Sequence, residues 1–149
     1  FGDPDEYPFI FSEHRSRLSR EGRSANLPLF QEFKDLDLGD EAWDDVLKIN
    51  PEDMKELGLE DGDTIEVESV QGKITVHAKG WEGTRPGVVV KCYGQGHWAF
   101  GHVAAVDYAK AKPRGGNNNE ILPAAYDRIS GNTARHGGFA RVKIKKVSA

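Results

Sequence analysis

Three stretches of this chain gather side chains suited to holding a flat ligand that carries phosphates. Gly94 to Gly101 reads Gly-Gln-Gly-His-Trp-Ala-Phe-Gly and leaves an apolar run. Its glycines let backbone N–H groups approach a ligand closely, and they frame His97 and Trp98, which can donate or stack. Gly115 to Glu120 reads Gly-Gly-Asn-Asn-Asn-Glu. Each amide there can donate and accept in the plane of a heterocycle, and Asn118 and Asn119, just ahead of apolar Ile121-Leu122, are the best placed. Arg15, Arg17 and Arg23 share a polar stretch near the start, and an arginine fork suits a pyrophosphate. Each feature also has a plain structural reading: a glycine-rich corner, a solvated turn, an arginine-bearing surface loop.

Several other chemistries are excluded. The third glycine of the Gly94 to Gly101 loop comes too late for a dinucleotide fingerprint, and no Gly-Lys-Ser/Thr makes a phosphate loop of the Walker kind. One cysteine and scattered histidines (His14, His77, His97, His102, His136) do not match zinc spacing, so no metal ligands are expected in this chain. Without a Cys-x-x-Cys, no iron–sulfur cluster is held by this chain alone. Cys92 alternates with Val88 and Val90 and reads as a small buried hydrophobe. No Ser–His–Asp order can be argued, and no catalytic residue is assigned.

At 149 residues, with 38% hydrophobic and 30% charged side chains, the chain reads as one globular domain over residues 1–149. No apolar run approaches the roughly twenty residues of a bilayer span. It starts at Phe1, as a fragment or a processed chain would. The net charge of −4 hides a division: residues 1–68 carry 20 acidic and 7 basic side chains, residues 69–149 carry 4 and 13. That asymmetry points to an anionic ligand or an oppositely charged neighbour, or to two solvated faces. The basic residues lack the aromatic interleaving of a single-strand binder, so nucleic acid is not expected.

The elements that must position these loops are short. Tyr7 to Phe11 is an apolar strand, Leu27 to Phe33 a short helical turn, and Asp35 to Asp45 an acidic surface segment. Val46 to Ile49 is a strand that runs into Asn50-Pro51, an N-cap followed by proline at the first helical position. Gly58 supplies the positive φ that ends the helix, and Asp61-Gly62-Asp63 turns the chain. Ile65 and Val67 alternate with glutamates, and Ile74, Val76 and Ala78 face inward after the Gln71-Gly72 turn. Val88 to Cys92 is a buried strand, His102 to Lys112 could make a short helix, and Phe139 to Val147 alternates as a closing strand. Many short strands between glycine and proline turns predict a closed β-barrel with a few short helices; long crossover helices have no room.

The run Ile49-Asn50-Pro51-Glu52-Asp53-Met54-Lys55-Glu56-Leu57-Gly58-Leu59-Glu60-Asp61-Gly62-Asp63, continuing through Ser69 and Gly72, resembles the C-terminal cofactor-binding domain of the molybdopterin oxidoreductases, the dimethyl sulfoxide reductase family. Met54 stands where that family usually has alanine, and Ile65 where valine is common. The opening strand, the Arg15 to Asn26 stretch, both glycine loops and the closing strand extend the resemblance over nearly the whole chain. It implies a double-psi β-barrel, like that of aspartate decarboxylase. It implies a domain of a larger catalytic subunit that binds and orients bis-molybdopterin guanine dinucleotide, carrying molybdenum or tungsten. The metal ligand and any iron–sulfur cluster would come from other domains, and an iron–sulfur electron-transfer subunit is a candidate partner. Catalysis by this chain alone is not implied. Cofactor contacts are implied for Arg15, Arg23, Gly96, His97, Trp98, Asn118 and Asn119. The Gly-His-Trp-Ala-Phe-Gly run resembles the branch that reduces sulfur or arsenic oxyanions. The sequence does not specify the compartment, periplasm or cytoplasm, or whether partner subunits bring the chain to a membrane. Such a barrel has two other uses. A decarboxylase would need a Gly-Ser bond to cleave, and there is none. A stand-alone protein-interaction module would need no cofactor.

Overall fold

The computed structural model describes residues 1–15, 23, 27, 45–96, 115–134 and 140–147. The expected segments at 28–33 and 102–112 therefore lie outside the described residues. Six strands are present among those described: β1 (Phe9–His14), β2 (Val46–Ile49), β3 (Thr64–Glu68), β4 (Lys73–Gly80), β5 (Val88–Cys92) and β6 (Arg141–Lys146). One helix, α1 (Pro51–Leu57), and one 3-10 turn, Asn118–Glu120, accompany them.

The strands close into a barrel in the order β1-β5-β2-β4-β3-β6. Two neighbouring pairs are parallel: β1 with β5, from Ile10 opposite Val88 to His14 opposite Cys92, and β2 with β4, from Val46 opposite His77. The other four pairings are antiparallel. This is the mainly β, closed double-psi architecture that the strand pattern and the resemblance imply. Among the described strands, closure leaves each one paired on both sides. Alternation does the filling: Ile65, Val67, Ile74, Val76 and Ala78 all point inward, meeting Phe11, Leu47, Ile49, Val89 and Val142 in one core.

The Ile49 to Asp63 run builds one end of this barrel. Asn50 caps α1 by accepting from the Glu52 N–H at 2.9 Å, and its amide donates to the Thr84 carbonyl at 2.7 Å. Buried Asp53 accepts from Gly87 N–H at 2.8 Å, and Gly58 ends the helix at φ 64°. Asp61 then takes the Gly80 N–H and the Lys79 ammonium, which holds its carboxyl below the usual carboxylate range. The most recognisable run of the sequence thus clamps the loop between β4 and β5. Replacing Asn50 by alanine removes both the cap and a buried bond. Unfolding free energy in urea should fall by about 2 kcal/mol with an unchanged m value.

The charge division has a structural explanation. Six ion pairs among the described residues each join an acid from the first 68 residues to a lysine from the remainder: Glu66–Lys73, Asp61–Lys79, Asp45–Lys91, Glu6–Lys143, Glu68–Lys143 and Asp63–Lys146. Part of the acidic half is therefore matched by the basic half of the same barrel. Five of these pairs are at least partly exposed and each contributes about 0–1 kcal/mol. The sixth is buried.

Candidate functional site

β1 and β5 run parallel, so their C-terminal ends emerge together, opposite the end that carries α1. Arg15 follows β1 and Tyr93 follows β5. The Arg15 guanidinium donates from Nε to the Tyr93 hydroxyl at 2.8 Å. Gly94-Gln95-Gly96 continues from Tyr93, with Gly94 and Gly96 both at φ 85°. A side chain on Gly96 would land on the backbone nitrogen of Asn117, so this loop lies directly on the Gly115 to Asn119 loop. The two glycine-bearing loops, far apart in sequence, are one surface here.

The asparagine loop is tightly built. Asn117 caps the 3-10 turn by accepting from the Asn119 N–H at 3.1 Å. Asn118 is buried, and its amide nitrogen donates weakly to the Cys92 carbonyl at 3.4 Å. Its amide oxygen is buried and has no hydrogen-bond partner among the described residues. Asn119 is exposed beside it. Gly116 rests against Ile74, leaving no room for a Cβ, and the Ile121 carbonyl accepts from the Ser69 hydroxyl at 2.7 Å.

Beneath the loop lies a pair that the sequence reading missed. Lys91 is fully buried, and its ammonium meets the Asp45 carboxylate at 2.7 Å. The same ammonium donates to the Gly116 carbonyl at 2.8 Å and to the Cys92 carbonyl at 3.3 Å. The same Asp45 oxygen also accepts from the Gly116 N–H at 2.7 Å. Burial pushes the Asp45 carboxyl above its ordinary value, against the pull of Lys91 and the Gly116 N–H. Asp45 therefore belongs to the interior and not to an acidic surface segment; residues 35–44 lie outside the described residues. The fully buried positions of β5 are Val89 and Lys91, with Cys92 nearly so, because the strand's inward face is that of 89 and 91. A lone lysine in the run Val-Val-Val-Lys-Cys was the available signal: a charge in a buried strand requires a partner.

Of the expected site residues, Arg15, Gly96, Asn118 and Asn119 lie at this one end of the barrel. Arg23 is exposed and is flanked by residues outside the described set. His97 and Trp98, which follow Gly96 directly, lie outside the described residues. No cluster of three or more potential metal-ligating side chains occurs among the described residues. The arrangement offers a buried amide acceptor, exposed amides, close-lying backbone and a guanidinium at the rim. Those groups suit a planar heterocycle joined to phosphates.

Comparison with known proteins shows the family and the fold. Over 146 residues, 98% of the chain, it is 56% identical to the arsenate respiratory reductase molybdopterin-containing subunit ArrA of Chrysiogenes arsenatis. It is 50% identical over 99% of its length to the ArrA subunit of Shewanella sp. strain ANA-3. The chain spans 17% of the length of each of these curated relatives. Its fold matches part of the acetylene hydratase from Pelobacter acetylenicus with a TM-score of 0.61 at 20% identity, covering 97% of this chain and 19% of that one. The family profile described as molydopterin dinucleotide binding domain matches residues 30–138, and the chain belongs to that family.

Proposed function

We propose that this chain is the C-terminal domain of a molybdenum or tungsten enzyme that reduces an arsenic oxyanion, and that it holds a bis-molybdopterin guanine dinucleotide cofactor in place. The observation that carries the reading is the 56% and 50% identity to two arsenate respiratory reductase subunits over almost the whole chain. The site is chemically suited to such a group. Asn118 carries a buried amide oxygen with no partner among the described residues, an acceptor for which a heterocycle N–H is the natural donor. Arg15 and Arg23 would answer the pyrophosphate, and Gly96, His97, Trp98 and Asn119 are the further cofactor contacts of this reading.

When bound, the cofactor supplies the metal and the two-electron chemistry; the residues of this chain orient it, neutralise its phosphates and keep water from it. The metal ligand, any iron–sulfur cluster and an electron-transfer partner belong to other parts of the assembly. The test uses the intact parent enzyme. Wild-type enzyme should contain molybdopterin guanine dinucleotide and oxidise a reduced dye with arsenate as acceptor. Asn118→Ala should cut cofactor content at least tenfold, read as the fluorescence of the oxidised pterin. An enzyme that reduces other oxyanions but not arsenate refutes the substrate assignment, and full pterin content in Asn118→Ala refutes the role of Asn118.

A further inference from the structure

We infer that Asp45 and Lys91 form a positioning pair that sets the height and tilt of the asparagine loop against the end of β5; the inference rests on the cofactor-holding role proposed above. Three segments distant in sequence meet at this pair: Asp45 just before β2, Lys91 within β5, and Gly116 in the loop. Between them run four bonds: ammonium to carboxylate at 2.7 Å, ammonium to Gly116 carbonyl at 2.8 Å, Gly116 N–H to carboxylate at 2.7 Å, and ammonium to Cys92 carbonyl at 3.3 Å. Both polar groups of Gly116 are thereby fixed. The Cys92 carbonyl also accepts from Asn118, which links the pair to the proposed cofactor acceptor through one shared oxygen.

Stability alone does not account for such a pair. Taking two charges out of water opposes folding, and a well-packed apolar pair of similar volume commonly serves the fold as well or better. Directional hydrogen bonding is what the ion pair adds and an apolar pair lacks. The glycines agree. A Cβ on Gly115 would lie 2.6 Å from Asp45 Cβ, so the loop is drawn onto Asp45 as closely as backbone allows, and one on Gly116 would lie 2.5 Å from Ile74 Cβ, so the loop also seats directly on β4. One Asp45 oxygen remains buried without a hydrogen-bond partner among the described residues, as expected where geometry at the loop is favoured over full satisfaction of the carboxylate.

The test compares parent-enzyme variants by the rate at which pterin is released in mild denaturant, alongside their melting temperatures. Asp45→Leu/Lys91→Met keeps a filled interior and removes the bonds to Gly116; release should be at least tenfold faster than in wild type. Asn50→Ala weakens the opposite end of the barrel and should release within about threefold of wild type despite melting earlier. Should the double variant fail to accumulate, Lys91→Arg keeps Asp45 paired while moving the donor from the Gly116 carbonyl, and at least threefold faster release is expected. Wild-type release rates from whichever of these accumulates, or equally fast release from Asn50→Ala, overturn the inference. If Asn118→Ala loses pterin while Asp45→Leu/Lys91→Met keeps it, this inference alone fails. A wild-type enzyme without pterin overturns both this inference and the reading beneath it.

Discussion

Lys91→Met should lower the unfolding free energy of this domain by about 3–5 kcal/mol, the usual result of stranding one partner of a buried pair. For a chain of this size that corresponds to a fall in melting temperature of roughly 6–20 °C. The size follows from the surroundings. Asp45 and Lys91 are both buried, so water cannot replace the lost ammonium. Adding Asp45→Leu should recover more than half of the loss, since the second substitution removes the stranded charge. The difference between single and double variants isolates the charge from the volume.

The pH dependence of Lys91→Met has a definite sign. The Asp45 carboxyl already sits above its ordinary value through burial, and Lys91 is the main force holding it down. Without the ammonium it rises further, so the folded state binds a proton more readily than the unfolded state does. Such a group favours folding below its unfolded value and loses that contribution as pH climbs through the folded one. The deficit of Lys91→Met relative to wild type should therefore shrink as pH falls from 8 toward 4. Urea denaturation at several pH values reads this directly, and a deficit that grows on acidification contradicts the assignment.

How much of this was legible in the sequence differs between the two ends of the barrel. The α1 end is made by local rules: Asn50 caps, Pro51 opens the helix and Gly58 closes it, and each acts on chain a few residues away. The inward faces of β3 and β4 were equally readable, because alternation has period two and one face is buried. The run of short strands pointed to a closed barrel and the resemblance to its double-psi form, whereas the parallel pairing of β1 with β5 and of β2 with β4 follows from no local rule. The loop end is made by contacts of long sequence separation. Asp45 meets Gly116, Lys91 meets Gly116, and Gly96 lies on Asn117. Asp45 read as the tail of an acidic surface segment because its neighbours are acidic and its partner lies 46 positions further on. The charge division left three readings open, an anionic ligand, an oppositely charged neighbour and two solvated faces, and part of it is matched across the barrel wall by pairs such as Glu66–Lys73 and Asp63–Lys146 that no local rule specifies.

Gly96→Ala should empty the site while leaving the barrel standing. In the intact parent enzyme, pterin content should fall by about an order of magnitude, with the circular dichroism of the folded protein preserved. Gly96 sits at φ 85°, where an L side chain is strained by about 1–2 kcal/mol. Its added methyl group would also fall on the backbone of Gly116 and Asn117, which cannot rotate away as a side chain can. Gly62→Ala separates these two effects. Gly62 has nearly the same φ, 87°, but nothing lies within 4 Å of where its Cβ would stand. It carries the conformational strain without the collision, and it lies at the α1 end. Gly62→Ala should therefore destabilise the fold by a similar backbone strain and leave pterin content unchanged. Gly96→Ala should push the Gly94 to Gly96 loop off the asparagine loop, moving Asn118 relative to Arg15 and Tyr93. Equal pterin loss in the two variants would mean that overall stability governs retention. Loss in Gly96→Ala alone would mean that the contact between the two loops does.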